Sequence, residues 1–277
     1  MLKLMYITND PAVADIAERT GVDRIFVDME YIGKSLRQGG MDTVQSHHTV
    51  EDVCRLRQSL HTAELLVRCN PIHDAGDMYG SSAEEIDAVV GAGADVIMLP
   101  YFKTVQEVQT FVKLVGGRAK TMLLFETPEA VAAVEDILAL DGIDEVFVGL
   151  NDLSLGYGMK FMFELLADGT VERLCNIFRA KGLPYGFGGI AAPGKGMLPA
   201  EKIIAEHYRL GSTCVILSRS FCNAAQIGDL REIAAVFEGG MKEIRACEGQ
   251  CAQMTCYEEN RLDVVRIVEA IAGRVTI

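Results

Sequence analysis

Residues 120–152 read KTMLLFETPEAVAAVEDILALDGIDEVFVGLND. Two apolar runs, Thr121–Phe125 and Val146–Leu150, each stop at an acid, the first at Glu126 and the second at Asp152. An amphipathic helix pattern lies between them. Strand, helix, strand is one βαβ unit, and its crossover makes the two strands parallel. Both acids then leave the same, C-terminal edge of the sheet, where α/β folds place their ligands. Two carboxylates on neighbouring strand ends make half a site for a divalent cation bound through oxygen. The same acids also suit helix starts, and Thr127-Pro128 reads as an N-cap followed by Pro at the first helical position.

Outward from this unit the pattern repeats. Strands are predicted over Leu2–Thr8, Arg24–Glu30, Glu64–Asn70, Val96–Tyr101, Pro184–Ile190 and Cys214–Arg219, with helical stretches between. Eight strand patterns alternating with eight helical regions are the register of a (β/α)8 TIM barrel. The strands are near-continuous apolar runs, as expected when both faces are buried. The runner-up is a doubly wound open sheet. No G-x-G-x-x-G follows the first strand, so a dinucleotide fold has little support. The expected division is a barrel over residues 1–240 and a C-terminal helical extension over 241–277, which packs on the barrel or on a neighbouring subunit. Leu262, Val265, Ile267, Val268 and Ile271 have the helical spacing for that packing.

Composition narrows the function classes. The 277 residues are 49% hydrophobic and 23% charged, ordinary for a soluble globular protein. No apolar stretch reaches the ~18–20 residues of a membrane span. The N-terminus lacks a signal-peptide core and meets Asp10 early, so a cytoplasmic location is expected. Net charge is −13, from 39 acids against 26 bases, which argues against nucleic acid or an anionic membrane as partner. An anionic small molecule remains possible, because arginines and a cation can invert the field in one pocket. The eight cysteines are expected to be reduced thiols. Cys247, Cys251 and Cys256 lack the C-x2-C pairing of zinc sites.

On a barrel, the C-terminal rim collects Asp28 and Glu30 from the second strand, Arg68 from the third, Glu126 from the fifth and Asp152 from the sixth. The seventh contributes Gly186, Gly188 and Gly189. An arginine facing two carboxylates and a metal suits an anionic substrate, whose carboxylate or enolate oxygens a guanidinium fork holds in two-point fashion. The backbone around Gly149, Leu150 and Asn151, at a helix-like turn, offers N–H groups to a substrate carboxylate. Salt bridging for Arg68, and hydrogen bonding to loop backbone for Asp28 and Glu30, are the structural alternatives.

Residues 20–220 resemble the HpcH/HpaI aldolase and citrate lyase β-subunit family of phosphoenolpyruvate/pyruvate-type barrels. The matching segments are Asp28-Met-Glu30, Val67-Arg68, Gly93-Ala-Asp-Val-Ile-Met-Leu-Pro100, Phe125-Glu-Thr-Pro-Glu-Ala130 and Val148-Gly-Leu-Asn-Asp-Leu-Ser154. The resemblance implies a metal-dependent, class II carbon–carbon lyase or aldolase acting through a pyruvate-type enolate of a 2-oxo acid. It implies Mg2+, or Mn2+ or Co2+ in its place, on Glu126 and Asp152. Arg68 is then the oxyanion and carboxylate clamp, and Asp28 an acid holding metal-bound water. It also implies a homo-oligomer. A phosphoenolpyruvate- or acyl-CoA-dependent enzyme, with Lys195 in the glycine-rich 186–196 segment facing a phosphate, is the alternative. A binding module on a degenerate aldolase scaffold is another.

One position departs from the pattern. The aldolase branch carries D-x-E-H at the second strand, and here the string is Asp28-Met29-Glu30-Tyr31. Tyrosine, with a pKa near 10, is a poor base at neutral pH. The polar stretch 31–48 offers His47 and His48 for acid/base work, and Lys34 and Arg37 for a phosphate or sugar acid. Thr49 as a helix N-cap is the structural reading of that segment. His73, beside Asp74 and Asp77, is a weaker candidate, and His61 and His207 read as structural or solvent-facing.

Overall fold

The computed structural model describes residues 1–34, 46–76 and 79–274. Eight parallel strands close into one barrel in chain order. They are β1 (Lys3–Ile7), β2 (Arg24–Asp28), β3 (Glu64–Arg68), β4 (Val96–Leu99), β5 (Lys120–Phe125), β6 (Glu145–Val148), β7 (Tyr185–Ile190) and β8 (Cys214–Leu217). The expected (β/α)8 barrel is what the chain forms. Helices start where short polar side chains can satisfy free N–H groups. Thr49 with Asp52, Ser81 with Glu84 and Thr104 with Glu107 each form a reciprocal capping box. Pro11 and Pro128 occupy first-turn positions.

Two local expectations change. The stretch between β5 and β6 is two short helices, Pro128–Ala132 and Val134–Ile137, and nothing in the sequence explains the break at Ala133. The apolar run of β6 does not stay extended to Leu150. Gly149 turns the chain, and Leu150 opens a helix, Leu150–Gly156, whose buried face it joins. A short apolar run reads alike as strand end and helix start.

The barrel interior is filled by Met5, Phe26, Leu66, Val96, Met98, Met122, Leu124, Phe147 and Cys214. A second apolar layer joins the barrel to its helices. The floor is ionic. Arg24, fully buried, donates from Nη1 and Nη2 to the two Glu145 oxygens at 3.0 and 2.9 Å, and from Nε to Glu64 at 3.1 Å. Lys120 Nζ closes on the other Glu64 oxygen at 2.6 Å. Burial alone favours the neutral acid at Glu64, but Lys120 and Arg24 hold its pKa down at about 2.

The expected boundary at residue 240 falls inside a helix. Leu230–Cys251 is continuous and buries one stripe: Ile233, Phe237, Met241, Ile244, Cys247 and Cys251. A Cβ at Gly240 would sit 2.6 Å from the Phe221 ring, so glycine lets the helix lie flat on the barrel there. This helix packs against Pro11–Arg19 and Ala200–Leu210 and completes the helical ring. Its Glu248 accepts from Leu2 N–H at 2.6 Å. The extension proper is the last helix, Glu258–Ala272, held to the same barrel by Lys202–Asp263 at 2.6 Å and by Asn260 Nδ2 donating to Glu206 at 2.9 Å. All eight cysteines are free and six are buried. Among the described residues, no helix is long and apolar enough to cross a membrane.

Replacing Arg24 by Met strands the buried Glu145 carboxylate. The expected cost is about 3–5 kcal/mol, read as a lower midpoint in urea denaturation, with part recovered when Glu145→Gln is added. Because the Glu64 pKa is lowered, its contribution is present above the usual glutamate value. It is lost as pH falls through about 2.

Candidate active site

A cavity of about 740 Å³ opens at the C-terminal ends of the strands. Asp28, His48, Arg68, Glu126, Gly149, Leu150, Asn151, Asp152 and Gly188 all line it. Of the histidine pair, His47 is exposed and away from the cavity wall. Arg37 and Asp77 lie outside the described residues.

The site is built around two strand ends. Asp28 and Arg68 are register partners at the ends of β2 and β3. Arg68 donates from Nε and Nη2 to the two Asp28 oxygens, both at 2.8 Å. Its Nη1 lies 3.4 Å from Glu30. The side edge of the guanidinium is therefore engaged by Asp28, while its end-on edge, Nη1 and Nη2, keeps further donors. Lys34, also on the cavity wall, reaches Asp28 Oδ2 at 2.8 Å and Glu30 at 3.7 Å. The sequence offered Lys34 to a phosphate or sugar acid, whereas it is tied here to two carboxylates. Burial disfavours the Asp28 carboxylate, but Arg68 and then Lys34 hold it ionised, far below the usual range.

Across the cavity the balance differs. Glu126 is 3% exposed. Burial first, then the charges of Glu30 and Asp152, push its carboxyl well above the usual value, against the pull of Arg68. The Tyr101 backbone N–H donates to Glu126 Oε1 at 2.9 Å. Tyr101 adopts φ +47°, a left-handed conformation that costs a non-glycine residue about 1–3 kcal/mol. That donor was not legible in the sequence; Pro100-Tyr101 gave only a strand end. Gly149 is the other close neighbour, since a Cβ there would lie 2.8 Å from both Glu126 Cβ and Glu126 Oε2.

Among the described residues, no three or more Asp, Glu, His or Cys converge as a complete metal cage. The buried carboxyl groups of Glu126 and Asp152 nevertheless fit a hard cation such as Mg2+, which takes one or two carboxylates and keeps waters or substrate oxygens as its other ligands.

Tyr31 is 46% exposed, with its ring edge-on to Tyr79 at 6.4 Å, and does not line the cavity. Asn70 accepts from Tyr31 N–H at 2.9 Å and fixes that turn. His73 is held by the Pro71 and Gly80 carbonyls at 2.7 and 3.0 Å, away from the cavity wall. His207 is fully buried, stacked on Phe187 at 3.9 Å, with its pKa pushed down to about 3 by burial. His61 is exposed. Lys195 does not line the cavity, so its position lends nothing to the phosphate-facing reading. The β1 and β8 side of the cavity, which the sequence did not point to, carries Thr8, Asn9, Ser218, Arg219 and Asn223 beside Ile7, Val13, Leu230 and Ile233. Strand-exit residues of β1 and β8 carry no charge pattern like that of β2, β3 and β5.

Residues 3–164 match the HpcH/HpaI aldolase/citrate lyase family, more than half of the chain. The chain belongs to this family. The hydroxypyruvate/pyruvate aldolase of Roseovarius nubinhibens is 23% identical over 162 residues, 54% of this chain, and the match spans 62% of that relative's length. Among solved structures, a HpcH/HpaI aldolase/citrate lyase family protein from Burkholderia cenocepacia superposes with a TM-score of 0.62 at 16% identity, covering 84% of this chain and 94% of the other. The HpcH/HpaI aldolase from Desulfitobacterium hafniense gives 0.57 at 15%, covering 84% and 93%. Citrate synthase SbnG gives 0.60 at 16%, covering 83% and 91%. These likenesses are of fold.

Gly149→Ala forces a Cβ into the Glu126 side chain. The expected loss is about 1–3 kcal/mol of stability, seen as a lower Tm. Gly91→Ala is the control, because Gly91, like Gly149, lacks a positive φ but its Cβ would meet open space. A Gly149→Ala protein as stable as wild type removes the close-packing account.

Proposed function

We propose that this family member is a divalent-metal-dependent carbon–carbon lyase or aldolase that works through the enolate of a 2-oxo acid. The observation that carries the reading is the contrast across the cavity. Asp28 and Glu30 are compensated by Arg68 and Lys34, whereas Glu126 has Asp152 beside it and a raised pKa. Glu126 and Asp152 would hold the ion. When bound, a divalent cation supplies Lewis acidity to a substrate carbonyl and favours its enolate.

The chain's own groups do the rest. The end-on edge of Arg68, with the donors that Asp28 and Glu30 leave, holds the carboxylate or enolate oxygens of the substrate, and Asp28 fixes the guanidinium by two bonds. Asp28 also orients water on the metal side of the site. The backbone from Gly149 to Asn151 seats the substrate carboxylate, and Gly188, where a Cβ would lie 2.7 Å from Leu150, leaves that turn room. The free thiols suit a reducing compartment, and we place the enzyme in the cytoplasm. The homo-oligomer implied by the family is checked by sedimentation.

The deciding experiment is exchange of solvent deuterium into the methyl group of pyruvate. Exchange is expected with Mg2+, Mn2+ or Co2+, to vanish with EDTA, and to fall about 10²–10³-fold in Arg68→Ala. Exchange that survives EDTA overturns the metal reading. Glu126→Gln and Asp152→Asn should each lose metal binding in calorimetry.

A raised carboxyl pKa also has a sign. Below it Glu126 holds a proton that the cation must displace, so metal affinity should rise with pH and binding should release protons. Metal affinity that stays flat from about pH 5 to 8, around the usual carboxyl and histidine range, contradicts this.

A further inference from the structure

Histidine is the side chain expected to move protons near neutral pH. Of the pair that follows the polar loop, only His48 lines the cavity. One edge of its ring is already fixed. The backbone N–H of Asp28 donates to His48 Nδ1 at 3.0 Å. A ring nitrogen that accepts such a bond carries no hydrogen, so the neutral imidazole bears its hydrogen on Nε2. A second proton on Nδ1 would set two N–H groups against each other and break the contact to the strand end.

The surroundings act in the same direction. Partial burial disfavours the imidazolium, and with Lys34 and His47 it outweighs the opposite pull of Asp28 and Asp52, so the pKa lies below the ordinary value. The charge of Asp28 is already shared between Arg68 and Lys34. No hydrogen bond among the described residues engages Nε2, the ring nitrogen left over once Nδ1 is bound.

We propose that His48 serves as a neutral hydrogen-bond donor through Nε2–H to the substrate oxygen that gains negative charge when the carbon–carbon bond is made, and that it is not the general base. This rests on the lyase reading above. In the condensation direction the enolate carbon bonds to the acceptor's carbonyl carbon, and the carbonyl π pair moves onto oxygen. That oxygen then takes a proton from water. His48 keeps its own proton throughout, because its only other nitrogen is occupied and Nε2 has no lone pair to offer. A neutral imidazole in this role stabilises charge without first being charged itself.

The test is 15N-edited NMR of the imidazole in the full-length protein, with His48→Gln used to assign the signal. The Nε2-protonated tautomer is expected to be the main form at about pH 6.5, the ordinary histidine value. A titration midpoint at or above that value, or the Nδ1-protonated tautomer, overturns the assignment. In addition of pyruvate to glycolaldehyde, His48→Ala is expected to lose about 10²–10³-fold in kcat. His48→Gln, whose amide still donates, should stay within about tenfold of wild type, with the limbs of its kcat/KM profile unmoved. A limb present in wild type and missing from His48→Gln marks a base and refutes the donor role. The tautomer is read without turnover, so its failure leaves the lyase reading standing. Absence of deuterium exchange in wild type removes the lyase reading and the donor role with it.

Discussion

The register of β2 against β3 sets Asp28 beside Arg68, and the site depends on that alignment. Side chains on a strand alternate between faces, so a slip of one residue would turn one of the pair away from the cavity. In register, the two side chains form a two-bond ion pair with both charges largely out of water. Such a pair gains little net stability against a hydrophobic substitute. What it supplies is geometry. The guanidinium is fixed at one edge and presents the other, and the Asp28 carboxylate is pinned where Lys34 can reach it. Even His48 is oriented through this strand end, since its ring accepts from the Asp28 backbone.

The charge layout follows from the same frame. On the β2–β3 side two carboxylates meet two cations. On the β5–β6 side burial, and then the charges of Glu30 and Asp152, raise the cost of ionising Glu126. A low-dielectric wall with neighbouring acids disfavours a carboxylate anion until a cation arrives. Gly149 and the left-handed Tyr101 keep this half tight, one by lacking a side chain and the other by turning its N–H onto Glu126.

Much of this arrangement was legible in the string. Apolar runs ending in Asp28, Arg68 and Glu126 located the rim, and alternation with capped helices gave the barrel. The edges of elements were less clear, because Leu150 is as apolar at a helix start as at a strand end. Residue 240 looked like a boundary only while the buried stripe from Ile233 to Cys251 was out of view. The difference between His47 and His48 was hidden too. Adjacent histidines in a polar segment are equivalent until the chain's path turns one toward the cavity. Backbone donors such as Tyr101 N–H leave no trace in side-chain chemistry. The β1 and β8 side of the cavity mixes neutral polar residues with Asp10 and Arg219, which lie beyond the strand ends proper.

Arg24 has a consequence for traffic through the protein. With its charge locked onto Glu145 and Glu64 and apolar side chains stacked above it, the barrel is closed from below. Among the described residues, the cavity is thus reached from the C-terminal ends of the strands, and whatever binds beside Glu126 and Arg68 comes and goes by that end. A plug of buried charge at the opposite end of the strands so sets the direction of traffic for molecules it never touches.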